Sequence, residues 1–84
     1  MSLLPSWELA LRASGKSPKT IRSYTDSVRK LGAYLAASGL TDDVESTGPA
    51  EVRAFLVSEI ERTSATSAQV HYRNLRVYFG WLIH

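Results

Sequence analysis

From Pro18 onward apolar side chains recur at steps of three and four: Ile21, Tyr24, Val28, Leu31 and Leu35. On a 3.6-residue helix these positions share one side, which predicts an amphipathic helix from Pro18 to about Ser38 with that stripe in the core. Its ends are marked by side chains suited to them. Ser17 can cap the first turn, Pro18 fits the first helical position because its missing N–H would have no intrahelical partner, and Gly39 is a stop signal. A shorter helix is expected over residues 3 to 14, with Ser6 as cap, Glu8 in the first turn, Gly15 as stop, and Leu4, Trp7 and Leu11 on one face. Trp7 reads as a core anchor rather than a ligand platform. The connection between these two helices is so short that they should be neighbours.

Leu40 to Gly48 reads as an acidic loop with Leu40 and Val44 tucked against the core edge. Pro49 then opens a third helix with Glu51 in its first turn, a buried stripe of Val52, Phe55, Leu56 and Ile60, and an acidic outer face of Glu51, Glu59 and Glu61. Ser64-Ala65-Thr66-Ser67 supplies another set of capping residues, and the last helix runs from there to the chain end. Its predicted core face is Ala68, Tyr72, Leu75, Phe79 and Leu82. The fold class is therefore all-α, a compact four-helix bundle forming one domain over residues 1–84. With no cysteine among the 84 residues, its core must be held by apolar packing alone.

The beginning of the chain lacks the basic region and apolar run of a secretory leader. Its longest apolar run, Val77 to Ile83 broken by Gly80, is too short to cross a bilayer. A soluble, cytoplasmic protein with no membrane association is the expectation.

Charge changes the picture through its distribution. Residues 17–38 and 66–84 hold six Lys and Arg against one acid, while the rest holds four against seven. Side by side, the second and fourth helices would give the one-faced basic footprint of a nucleic-acid binder, although so few charges can also divide this way by chance. Lys19, Arg22, Ser23, Asp26 and Lys30 lie opposite the core stripe of the second helix. In the fourth, Thr66, Ser67, Val70, Arg73 and Asn74 lie on one flank, with Gln69 and Arg76 on the other. Hydroxyls near a helix N-terminus suit phosphate, Arg reads guanine or phosphate, and Asn or Gln reads adenine.

Nothing in the sequence singles out a catalytic residue or a metal site. His71 and His84 are thirteen residues apart, and there is no glycine-rich phosphate loop or cysteine nucleophile. The chain is not expected to be an enzyme by itself, and no cofactor is called for. The last turns carry more apolar residues than one stripe needs. A C-terminal domain, a partner subunit or the first helix could cover them, the first being favoured.

These residues, in this order, resemble the N-terminal SAM-like, core-binding domain of tyrosine recombinases and phage integrases. The likeness rests on Ser17, Thr20, Ile21 and Tyr24, on Val52, Phe55 and Leu56, and on Ser67, Leu75, Arg76, Phe79 and Leu82. It implies a DNA-binding domain that docks helices two and four in the major groove. A separate catalytic domain of the same parent chain, absent here, would perform the strand exchange alongside other recombinase protomers. Thr20, Arg22, Ser23, Thr66, Ser67, Val70, His71 and Asn74 would then face double-stranded DNA. Lys19 and Arg73 join them on charge, and Arg76 matches a family position that either meets DNA or orients neighbouring helices. The competing reading is a helical protein-interaction module with a basic face and an apolar C-terminal docking helix.

Overall fold

The computed structural model describes residues 3–39 and 44–83. Its helices are α1 (Leu4–Ala13), α2 (Pro18–Ala37), α3 (Pro49–Arg62) and α4 (Ala65–Leu82), with a 3-10 turn at Val44–Ser46 before α3. No strand occurs among the described residues, and the fold is an all-α bundle. Leu40, Asp42 and Asp43 of the acidic loop, and His84, lie outside the described residues.

The local signals act as the sequence requires at α2 and α4. The Ser17 hydroxyl oxygen accepts from the Thr20 amide at 3.2 Å, and that of Ser64 accepts from the Ser67 amide at 3.1 Å. Each satisfies one of the N–H groups that a helix start leaves without an intrahelical acceptor. Gly15 and Gly39 leave α1 and α2 with φ of 82° and 71°, the left-handed conformation in which a side chain is strained. The start of α1 differs from expectation. Ser6 lies inside the helix, which begins at Leu4 with Pro5 in its first turn and no side-chain cap. Proline's fixed φ and missing N–H suit that turn, so the helix starts upstream of Ser6.

Helix α2 packs against α1, α3, α4 and the 3-10 turn, and α3 packs against α4. The core comprises Trp7, Leu11, Val28, Leu31, Leu35, Val44, Phe55, Leu75 and Tyr78. Trp7 is its aromatic centre: its ring stacks on Tyr24 with centroids 5.8 Å apart and meets Tyr78 at 4.8 Å. Val44 reaches the core as expected. Its Cγ2 sits 3.3 Å from where a Cβ on Gly32 would lie, so the glycine lets the 3-10 turn approach the middle of α2.

Three expectations about buried faces are corrected. On α4 the core stripe is turned by one residue: His71, Asn74 and Tyr78 are buried with Ala68 and Leu75, while Tyr72 is half exposed. Both stripes have helical spacing, and the apolar count favoured the wrong one. The buried polar pair is accommodated because α2 offers it hydrogen-bond partners, so little is lost by taking it from water. On α3, Phe55 and Glu59 turn inward, and Ile60 is 48% exposed. Glu59 is thus not on a solvated face: it is 4% exposed, and both its carboxylate oxygens accept from Arg62 Nη2 at 2.9 Å.

Candidate nucleic-acid interface

The seam between α2 and α4 positions most of the sequence-predicted site. Ser27 on α2 meets His71, and Ser23, one turn earlier, meets Asn74, one turn later on α4. The two helices therefore run antiparallel. Extending this register places Ser67 beside the Leu31 turn of α2 and Thr20 beside the Tyr78 turn of α4. The two capped N-termini stand at opposite ends of the seam, with Thr20 and Ser67 about 16 Å apart along its length at a rise of about 1.5 Å per residue, and the spacing of the helix axes, about 8–10 Å, lies across that.

Thr20 and Ser67 hold equivalent places. Each is three residues into its cap, half-buried, with its backbone N–H donated to the capping serine and its hydroxyl oxygen accepting from that serine's O–H at 3.0 and 3.3 Å. With the shared proton on the capping serine, the Thr20 and Ser67 hydroxyls have no acceptor among the described residues and can donate to one such as phosphate.

On the solvent side of the seam, helical spacing sets Lys19, Ser23, Asp26 and Lys30 along the α2 border, and Thr66, Val70 and Arg73 along the α4 border. Lys19, Ser23, Thr66 and Arg73 are exposed and Val70 is half-buried. Lys30 is drawn to Asp26 at 3.3 Å, whereas Lys19, at the start of α2, and Arg73, opposite the middle of α2 and beside Arg76 and Val77, form no ion pair among the described residues. Arg22 is exposed one step further round α2, on the side turned toward α1.

His71 and Asn74, expected to face DNA, are instead buried in the seam. Asn74 is 1% exposed, and its amide donates to Ser27 Oγ at 2.9 Å, to the Ser23 carbonyl at 3.1 Å and to Ser23 Oγ at 3.4 Å. Ser27 Oγ lies 2.7 Å from His71 Nδ1. The arrangement is satisfied when Asn74 donates to Ser27 and Ser27 donates to a neutral imidazole, leaving the proton on Nε2. Burial lowers the His71 pKa from its ordinary 6.5 and Lys30 lowers it further; Glu59 and Asp26 raise it, and Arg62 lowers it. These residues lock the two helices in register. Arg76 turns to the far flank of α4, where its guanidinium stacks 5.8 Å over the Tyr72 ring.

Arg12 and Lys16 are not among the residues the sequence singles out. Summed along the chain they fell in the acidic remainder, yet in space they stand beside Arg22 and Arg29 around a cleft between α1 and α2. A contact between α1 and α2 was expected, but the cationic character of that junction was not.

The sequence matches the family described as phage integrase, N-terminal SAM-like domain, over residues 3–84. The chain belongs to that family, whose domain is recombinase-associated. No curated protein and no solved structure gives a significant match to it. Among the described residues, no helix is long and apolar enough to cross a membrane.

Proposed function

We propose that the chain is the DNA-binding, core-binding domain of a site-specific tyrosine recombinase, and that the α2–α4 face enters the major groove. The observation that carries this reading is the pairing of two capped helix N-termini at opposite ends of one antiparallel seam, with Lys19 and Arg73 on its solvent side. Helix N-termini attract anions through their N–H groups and dipole. With the axial and lateral offsets combined, Thr20 and Ser67 lie about 18–19 Å apart, which suits phosphates on the two strands that border a groove about 12 Å wide.

Thr20 and Ser67 donate to phosphate. Lys19, Arg22, Ser23, Thr66 and Arg73 contact phosphates or base edges, and Val70 offers a thymine methyl an apolar contact. Arg76 has a supporting role on the far flank. In the parent protein the domain positions a separate catalytic domain and works beside other protomers on the DNA, so this domain contributes no catalytic residue.

The test is the double charge reversal Lys19→Glu/Arg73→Glu, assayed by anisotropy on a labelled duplex with helicity measured in parallel. Loss of duplex binding by a folded variant is expected. Unchanged binding would favour the protein-interaction reading, for which the half-exposed Ile60 and Tyr72 beside Leu56 are the supporting feature.

A further inference from the structure

Arg12, Lys16, Arg22 and Arg29 surround an open cleft of about 450 Å³ between α1 and α2, with Ile21 in its lining and Glu8 its only carboxylate. Glu8 is taken by Arg29 at 3.0 Å, and among the described residues Arg12, Lys16 and Arg22 form no ion pair. Four cations against one acid exceed the +2 net charge of the entire chain, so this is where its excess charge is concentrated. We propose that the cleft is a second, sequence-independent contact for DNA, holding phosphates of the strand that borders the groove occupied by α2.

The cleft's character favours a polyanion over a small anion. All four cationic residues are exposed. The buried hydroxyl in the lining, that of Thr25, is already donated to the Ile21 carbonyl at 2.9 Å. A free phosphate would thus meet solvated charges and no enclosing polar group, and water would compete well. A backbone that meets several cations at once gains instead by releasing its condensed counterions.

Position supports the same partner. Arg22 lies between the α4 border of α2 and the cleft, and Arg29 follows seven residues on, a rise of about 10 Å. That span exceeds the axial spacing of about 3.4 Å between phosphates of one strand, so the two guanidiniums can meet different phosphates. Cations flank α2 on both sides, so a duplex receiving this helix brings its bordering strand across Arg12 and Lys16.

This inference rests on the proposed DNA binding, and the experiment separates the two. Anisotropy titrations of the full chain against a labelled random-sequence duplex are run over a range of salt for the parent, Arg12→Gln/Lys16→Gln, Arg12→Lys/Lys16→Arg and Lys19→Gln/Arg73→Gln, with thermal melts confirming each fold. The first variant should lower the slope of log affinity against log salt by about 1.8, at about 0.9 per lost phosphate contact, and the charge-conserving variant should restore it. An unchanged slope in the first variant, with a reduced slope in the Lys19/Arg73 variant, overturns the cleft contact and leaves the α2–α4 reading standing. A parent chain with no salt-dependent duplex binding overturns both.

Discussion

Ser27 Oγ lies 2.7 Å from Nδ1 of His71, joining the middle of α2 to the middle of α4 inside a region both helices bury. This contact sets the helices' relative rotation. It faces Ser27, His71 and Asn74 inward and leaves Lys19, Ser23, Thr66 and Arg73 along the outer borders of the seam.

The same contact predicts acid sensitivity. Burial, first, and Lys30, second, hold the His71 pKa below 6.5, against the opposing pull of Glu59 and Asp26. Below pH 6.5 the unfolded chain takes up this proton before the folded chain does, so its contribution to stability falls as pH drops toward the lower folded value and is flat beneath it. Thermal melts at about pH 7 and pH 5 should show a drop that is smaller in His71→Gln. An equal drop in both proteins would remove His71 from the explanation.

Asn74→Ala should destabilise the fold by about 1–3 kcal/mol, because the Ser23 carbonyl and Ser27 hydroxyl lose a buried donor. Duplex affinity, measured well below the variant's melting temperature, should remain close to that of the parent. A large affinity loss in the folded variant would return Asn74 to the list of base readers.

Trp7→Ala should cost about 3–5 kcal/mol, since the ring fills the space between Tyr24 and Tyr78. A chain of this length carries on the order of 4–13 kcal/mol in all, so urea unfolding should begin at low denaturant or lose its cooperative transition. Near-parent stability would mean that α1 contributes little to the core.

Ser17→Ala and Ser64→Ala should each cost about 1 kcal/mol through loss of a cap. That corresponds to a fall in Tm of roughly 4–8 °C. The caps are at opposite ends of the seam and share no partner, so the double variant should show nearly the sum, as read by calorimetry.

What could be read from the chain were features written in near-neighbour spacing. The stripe of α2 has one apolar solution and is flanked by Ser17, Pro18 and Gly39, so its limits and buried side were legible. Helix α4 has two stripes of equal spacing, one through Tyr72 and Phe79 and one through His71 and Tyr78. Hydropathy favours the first, and only hydrogen-bond partners far away in sequence, the Ser27 hydroxyl and the Ser23 carbonyl, make the second stable. Glu59 followed the same logic, because nothing local reveals that its turn of α3 packs beneath α2 and α4.

The sequence by itself determined four helices, most of their ends, the aromatic and aliphatic stock of the core, and the family to which the domain belongs. Tertiary structure decided which polar groups were spent inside the bundle and which cations were gathered on one surface. Helix periodicity links residues within a few turns, whereas the meeting of Asn74 with Ser23, or of Arg12 with Arg22, depends on how whole helices rotate and dock.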